Sequence, residues 1–413
     1  MHKNWFRFGI FITLFLFLFS LVNATFELHS VGSWIDYYKL PENSLDVLFI
    51  GNSHNINGFQ PVVIDDILPI NSFVLGVGGE DARIIYYELK EALKYQKPKV
   101  VVLETFPLEL TDVILPSLIF AFIDPGPWTI EKGAIETHYL PIDMWYTVFP
   151  ALRTRFDWNH PGELSIKIKN LLAENKKTID SQRGYAAAFM LLPKEVYDSA
   201  DTLPDPPSND STLNNLIYLQ KISNLCKKNN VELVLASLPV RKITGYAFRF
   251  YKPLDFAGFA KENNIDLISF DGIDFNELHF CDTNHLNSFG SLFVSIDIAE
   301  ELSTSLNLPI NQEKLEDYQS FLFSNYSLSR NGNHYFFKLL PKSDPSTLQY
   351  KMRVFEYELN QDLIVTDWQN SSEFEFEFEP IDHQTLYNIE VQVRKPNSDY
   401  KIVGRYLINL EDQ

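Results

Sequence analysis

Three polar residues from two distant parts of the chain have the side chains that acyl transfer needs. Ser53 lies in the run Gly51-Asn-Ser-His54, and Asp282 and His285 are the first and last residues of the run Asp282-Thr-Asn-His285. A serine hydroxyl is a weak nucleophile until a histidine accepts its proton, and a carboxylate beside that histidine holds the required tautomer. We therefore predict Ser53 as nucleophile, His285 as base and Asp282 as its orienting residue. Each run alone is unspecific, because such residues more often cap helices or form turns.

The tetrahedral intermediate of acyl transfer carries an oxyanion, which hydrogen-bond donors must stabilise. The run Gly76-Val-Gly-Gly79 is a glycine-rich turn that exposes backbone amides, so we predict the N–H groups of Ser53 and Gly79 as donors. His279 and Cys281 do not have the spacing of a metal site, and we expect neither a metal nor another cofactor.

Three further residues are candidates for the wall of this site. Glu104 and Thr105 follow an apolar run, and Thr105 is a candidate donor to the oxyanion. An ionised Glu104 only accepts hydrogen bonds, and an ion pair with Arg83 or Arg241 is its alternative role. His54 follows Ser53 directly, so we expect it to point away from Ser53 and to make a structural hydrogen bond rather than to act in catalysis.

Alternating apolar runs and helical segments predict the framework that positions these residues. The helices include one that starts near Gln60-Pro61 and one over Ser288–Leu306. Strands that alternate with helices favour a parallel, doubly wound sheet, and such sheets bind ligands at the carboxyl ends of their strands. The predicted strands are Asp46–Ile50, Asn71–Leu75, Val100–Leu103, Val231–Leu238 and Ile265–Phe270.

The remaining chain divides into an insertion and a C-terminal domain. Residues 105–211 are rich in proline and aromatic residues and are predicted to form a mainly helical insertion within a domain spanning residues 25–310. Residues 313–413 contain segments with alternating apolar and polar residues, of which Glu373–Glu379 is the strictest, and are predicted to form a β-sandwich. We predict no chemical site in this domain.

Composition and the N-terminus limit the possible partners and the compartment. The chain has 413 residues and a net charge of −19, which argues against nucleic-acid binding. Lys3 and Arg7 precede an uncharged apolar run, so residues 1–24 are predicted to be a secretory signal peptide or an N-terminal membrane anchor, with the rest outside the cytoplasm. Cys226 and Cys281 are the two cysteines, and we favour free thiols over a disulfide between them.

The chain resembles the SGNH (GDSL-like) hydrolase superfamily over roughly residues 45–305. Gly51-Asn-Ser-His54 stands where that family has its Gly-Asp-Ser block, Gly79 matches its glycine block, and Asp282-Thr-Asn-His285 matches its Asp-x-x-His block. The resemblance implies a flavodoxin-like, three-layer α/β/α fold, the three triad roles given above, and Gly79 as an oxyanion donor. The family's Gly-x-Asn-Asp block has no counterpart here, because Glu104-Thr-Phe-Pro107 occupies its place.

Two further runs, Pro98–Glu104 and His285–Gly290, are similar to the extracytoplasmic branch of that family, which includes bacterial polysaccharide O-acetyltransferases and acetylesterases. This implies a secreted or membrane-anchored serine enzyme that moves an acyl group, expected to be acetyl, onto or off cell-surface or extracellular carbohydrate. Two alternatives remain open: a non-catalytic glycan-binding protein of the same fold, and a lipid-ester or thioester hydrolase.

Overall fold

The computed structural model describes residues 2–26, 33–109, 119–140, 182–191, 211–240, 254–273, 275–282, 284–344, 347–356, 361–379, 386–396 and 400–408. Within this part of the chain, a parallel sheet flanked by helices is followed by two antiparallel sheets. The α/β fold and the β-rich C-terminal region that the sequence predicts are therefore confirmed.

The parallel sheet has five strands in the spatial order β2-β1-β3-β4-β5, which is the flavodoxin-like order. Successive residues of the strands face opposite sides, because side chains alternate along a strand. Phe49 therefore packs in one apolar core, while Leu48 and Ile50 pack in a second core on the other face. The strands are β1 (Val47–Ile50), β2 (Ser72–Leu75), β3 (Val100–Glu104), β4 (Glu232–Ser237) and β5 (Asp266–Ser269).

Helices cover both faces of this sheet and complete the three layers. The core on the Phe49 side contains residues of α4 and α11, and the core on the Leu48 side contains residues of α5, α9 and α10. These helices are α4 (Pro61–Ile67), α5 (Ala82–Ala92), α9 (Ser211–Asn229), α10 (Phe256–Asn263) and α11 (Ser288–Leu306). Shorter helices are α2 (Ser33–Tyr37), α3 (Ser53–Gly58), α6 (Phe106–Glu109), α7 (Phe120–Ile123), α8 (Ile130–Tyr139) and a 3₁₀ turn, Glu277–His279.

Much of the predicted insertion, residues 105–211, lies outside the described residues, as does Arg241. Its described parts contain α6, α7 and α8 together with residues 182–191. The last of these segments lies against the α/β core, since the amide of Ala186 donates to the Ile56 carbonyl at 3.0 Å.

The C-terminal region forms a sandwich of two antiparallel sheets with strand orders β10-β7-β6 and β12-β11-β8-β9. Phe374 and Phe376 point into the core between the sheets, while the glutamates that alternate with them are exposed. Helix α12 (Gln312–Gln319) precedes the strands β6 (Phe323–Asn331), β7 (His334–Pro341), β8 (Gln349–Glu356), β9 (Gln361–Val365), β10 (Glu373–Glu377), β11 (Tyr387–Arg394) and β12 (Lys401–Ile408).

The N-terminal helix α1 (His2–Phe26) is separate from both cores. Its segment Trp5–Val22 has a mean hydropathy of 2.1 and is not buried against the rest of the protein. This helix is long and apolar enough to cross a membrane, which fits either a signal peptide or an anchor.

Cys226 and Cys281 are both free thiols.

Candidate active site

Ser53 lies directly beyond the carboxyl end of β1, where it begins helix α3. The side chain of Asn52 caps this helix by accepting a hydrogen bond from the His54 amide at 3.0 Å. The helix predicted to start near Gln60-Pro61 is α4, whereas the short α3 before it is not predicted from the sequence. The helix start fixes Ser53 at the edge of the sheet with its side chain partly exposed.

The structure brings together the three residues predicted to act as a triad. The Oγ atom of Ser53 lies 2.8 Å from Nε2 of His285, and Nδ1 of His285 lies 2.8 Å from Oδ2 of Asp282. These are hydrogen-bonding distances, and both contacts use the atoms that proton transfer from a serine requires. His285 therefore contacts Ser53 through one ring nitrogen and Asp282 through the other.

A small backbone loop holds the Asp282–His285 segment in place. The amide of Cys281 donates to the His285 carbonyl at 2.9 Å, and Phe280 and Leu286 form an antiparallel bridge. The fully buried Asn287 then ties the loop to α11. Its Oδ1 accepts from the Phe289 amide at 2.9 Å, and its Nδ2 donates to the Phe280 carbonyl at 3.1 Å.

Asp282 is a half-exposed carboxylate that accepts several hydrogen bonds. Besides the imidazole, its Oδ1 accepts from the amides of Asn284 at 2.9 Å and His285 at 2.8 Å. Partial burial by itself raises the pKa of Asp282, but the hydrogen bond and charge of His285 and these two amides outweigh it and lower the pKa to about 2. An ionised Asp282 can only accept, so the proton of a neutral His285 is on Nδ1 and Nε2 is free to accept the Ser53 proton.

His54 lies beside His285, so its ring forms part of the wall of the site. Its ring centroid lies 4.9 Å from that of His285, and it stacks on the Phe106 ring at 3.7 Å. Its Nε2 also lies 3.4 Å from Nδ2 of Asn284. Burial lowers the pKa of His54 well below its usual range, and the neighbouring His285 lowers it further, so the ring is neutral.

Glu104 is buried in the wall of the site and differs in charge from the ionised carboxylate that the sequence analysis considers. It is fully buried, its Oε1 accepts from the Phe106 amide at 2.8 Å, and its Oε2 has no partner in the described part of the chain. Burial raises the pKa of Glu104 well above its usual range, so it is a neutral acid rather than a carboxylate. The expected ion pair with Arg83 does not form, because the Arg83 guanidinium lies over the rings of Tyr139 and Tyr218.

The candidate oxyanion donors differ in whether their amides already donate a hydrogen bond within the described part of the chain. The amide of Thr105 donates to the Ala236 carbonyl at 3.0 Å and is not available to an oxyanion. Within the described residues, the amides of Ser53, Gly78 and Gly79 have no acceptor. Gly79 has a φ of 73°, and a Cβ built on Gly78 would lie 3.9 Å from that of Ser53, so this turn borders the nucleophile.

Three residues that belong to the site, Asn287, Phe106 and Gly78, are not predicted from the sequence. The signal for Asn287 is its position before the long apolar helix, where asparagine is a favoured cap. Phe106 carries no comparable signal, because its role depends on a stacking contact between distant segments. Across the described residues, no group of three His, Cys, Asp or Glu side chains is placed to hold a metal ion.

No family model matches the chain, and neither does any curated protein. Among solved structures, it is similar to a psychrotrophic esterase from a Pseudoalteromonas species at 12% identity and a TM-score of 0.30, over 63% of this chain and 99% of that one. It is also similar to a protein of Bacteroides fragilis assigned as an acylhydrolase, at 13% identity and a TM-score of 0.31, over 68% and 96%. Both scores are low, so the function is inferred from the chain's own geometry.

Proposed function

We propose that this protein is a serine enzyme that transfers acyl groups through a Ser53–His285–Asp282 triad. The observation that carries the proposal is the pair of 2.8 Å contacts that join Ser53 Oγ to His285 Nε2 and His285 Nδ1 to Asp282 Oδ2. The three groups stand in the order that a nucleophile, its base and the carboxylate that orients the base require, and the site lies at the sheet edge where α/β proteins bind ligands.

In the first step, Ser53 Oγ attacks the carbonyl carbon of an ester while its proton passes to His285 Nε2. The ionised Asp282 stabilises the resulting imidazolium. The amides of Ser53, Gly78 and Gly79, which have no acceptor among the described residues, are the donors proposed for the oxyanion, and Gly78 lies beside Ser53. His285 then gives its proton to the leaving alcohol, and the acyl group remains on Ser53.

In the second step, an acceptor hydroxyl attacks the acyl-enzyme and gives its proton to His285, and the acyl–Ser53 bond then breaks as His285 returns the proton to Ser53 Oγ. Water as acceptor gives an esterase, and a sugar hydroxyl gives an acyltransferase. We propose acetyl as the acyl group and cell-surface or extracellular carbohydrate as the substrate, on the basis of the resemblance to the extracytoplasmic SGNH branch. The exposed apolar helix α1 supports export with cleavage or with anchoring in the membrane.

Hydrolysis of 4-nitrophenyl acetate by the wild-type protein and by Ser53→Ala tests this function. We expect turnover by the wild type and a loss on the order of 10⁴-fold or more in Ser53→Ala, because removal of a triad nucleophile leaves only the oxyanion donors and binding. Equal rates in the two proteins would instead favour a non-catalytic binding protein. A strong preference for long acyl chains would favour a lipid-ester hydrolase.

A further inference from the structure

An open cavity of about 580 Å³ lies between helices α5, α8 and α9, outside the triad. Its lining includes one cation, three aromatic rings and a histidine, namely Arg83, Tyr87, Trp128, Tyr218 and His138. None of these residues has a role in the proposed chemistry. We refer to this surface as the Arg83 cavity.

The cation in the Arg83 cavity has no anionic partner among the described residues. Its guanidinium carbon lies 5.2 Å from the ring centre of Tyr218 and 6.0 Å from that of Tyr139. Its Nε is buried and has no acceptor, and no carboxylate in the described part of the chain pairs with it. Arg353, by contrast, is paired with Glu390 at 2.9 Å. In a chain with a net charge of −19, an arginine that is held in place without such a pair favours an anion from outside the protein.

Trp128 is held as a flat, open platform in the same cavity. One edge of its ring lies against Gly133 on α8, where a Cβ would come within 2.6 Å of Cζ2. Its Nε1 donates to Oε2 of Glu136 at 3.2 Å. The side chain is nevertheless 66% exposed, which is unusual for tryptophan and leaves ring surface for a flat ligand to stack on.

Arg83 is close in sequence to the turn Gly76–Gly79, which contains proposed oxyanion donors. Arg83 is the second residue of α5 and lies about five positions after Gly78, which borders Ser53. A chain of this length spans at most about 18 Å between Cα atoms. The Cα atoms of Gly78 and Arg83 are therefore no farther apart than a few linked sugar rings extend.

We propose that the Arg83 cavity is a subsite for an acidic sugar residue, whose carboxylate pairs with Arg83 and whose ring stacks on Trp128. This inference rests on the proposed function and specifies its substrate class as an acylated acidic polysaccharide. An aromatic platform beside a guanidinium binds the apolar face of a sugar and its charge at the same time.

Calorimetric titration of the full-length protein with tetragalacturonic acid at low salt tests the subsite. The fully methyl-esterified tetrasaccharide is the matched ligand, because it keeps the rings and loses the charge. We expect the Kd of the acid to be at least about tenfold lower than that of the methyl ester, because one hydrogen bond to a charged group changes a Kd by about this factor. Arg83→Gln and Trp128→Ala should each weaken binding of the acid about tenfold, and added salt should weaken it in the wild type.

Arg330→Gln is the matched control variant, because Arg330 also lies over a tyrosine ring, at 5.2 Å from Tyr335, but in the β-sandwich. It should bind the acid as the wild type does, and circular dichroism should show that every variant is folded. Equal binding of the acid and its methyl ester, no binding at millimolar concentrations, or unchanged binding in Arg83→Gln would each overturn the subsite.

The subsite and the catalytic function can fail separately. Ser53→Ala should bind tetragalacturonic acid as tightly as the wild type while losing ester hydrolysis. A protein that hydrolyses acetyl esters through Ser53 but does not bind the acid contradicts the subsite alone. A protein that binds the acid through Arg83 but hydrolyses nothing contradicts the enzymatic proposal alone.

Discussion

The imidazole of His54 lies 4.9 Å from that of His285, measured between ring centroids, and stacks on Phe106 at 3.7 Å. The proposed base is therefore packed against a second histidine that burial keeps neutral. This arrangement matters because His285 becomes positively charged during acyl transfer, and a charged neighbour would oppose that step. We infer that His54 positions His285 and does not exchange protons with the substrate.

Substitution of His54 tests this positioning role. His54→Phe keeps a flat neutral ring against His285 and should retain kcat/KM within about threefold, whereas His54→Ala removes the support and should lower it between about 10- and 100-fold, as misplaced catalytic groups do. The shape of the pH–rate profile should be the same in the wild type and His54→Phe. An ionisation that shapes the pH–rate profile of the wild type and is absent from that of His54→Phe would show instead that His54 takes part in proton transfer.

Asp282→Asn should lower kcat on the order of 10⁴-fold, because an amide at this position favours the wrong tautomer of His285. The structure supports a large effect, since Asp282 accepts hydrogen bonds from the ring and the amide of His285 and from the Asn284 amide. With the pKa of Asp282 lowered to about 2, the wild-type carboxylate should stay ionised down to about pH 3. A decrease in kcat of less than tenfold in Asp282→Asn, measured by stopped-flow hydrolysis, would show that Asp282 does not orient the base.

Gly76→Ala should destabilise the protein strongly, because the residue has a φ of 154° and a Cβ there would lie 1.8 Å from the Gly51 carbonyl oxygen. Gly272→Ala is the matched control, since Gly272 also has positive φ, 82°, but a Cβ added there would meet no atom of the described residues within 4 Å. We expect the free energy of unfolding to fall by about 1–2 kcal/mol in the control because of backbone strain. In Gly76→Ala it should fall by at least about 2 kcal/mol more because of the clash. Urea unfolding of both variants measures the difference, and equal losses would contradict the close approach.

Glu80 and Glu88 form a fully buried carboxyl pair, and the ionisation of this pair should contribute a loss of stability as the pH rises from about 4.5 to 7. Burial raises the pKa of both, that of Glu88 to about 7. The folded state therefore holds protons that the unfolded chain has released in this range, and the stabilisation present below about pH 4.5 is lost as the pH passes 7. Chemical denaturation at pH 5 and pH 8 measures the change.

Glu80→Gln should flatten that pH dependence. A glutamine amide can donate to Glu88 and accept from the Val77 amide, which now donates to Glu80 Oε2 at 3.0 Å, so it imitates the protonated residue at every pH. The variant should therefore be more stable than the wild type at pH 8 and similar to it at pH 5. An unchanged slope between the two pH values would assign the dependence to other groups.

The fold and the place of Ser53 at the sheet edge are predictable from the sequence because they depend on a strong local signal. Strand β1 is fully buried on both faces, so Val47–Ile50 is an uninterrupted apolar run, and the residues that follow it must lie at the sheet edge. Strands β6 and β9 are missed for the opposite reason. The alternating segments that predict strands in the C-terminal domain are Tyr335–Leu340, Leu348–Tyr357, Glu373–Glu379, Leu386–Arg394 and Tyr400–Ile408. Strands β6 and β9 both carry many exposed residues, and an edge or solvent-facing strand needs no regular apolar alternation.

The charge and contacts of the residues around the triad are not predictable in this way. Glu104 is identified from the sequence as part of the site wall, but its neutral state follows from complete burial between segments distant in sequence. His54 faces His285 because Phe106, at the start of α6, provides a ring on which His54 stacks. Such pairings depend on tertiary packing, which sequence spacing does not encode.

The most direct test of the central claim is intact-mass and peptide mass spectrometry after reaction with a fluorophosphonate. We predict one phosphonyl adduct per chain, located on Ser53, formed in the wild type and absent from Ser53→Ala, with much slower labelling in His285→Ala because the hydroxyl loses its base. Labelling of another residue, or equal labelling of the wild type and Ser53→Ala, would contradict the proposal that Ser53 and His285 form a working nucleophile and base.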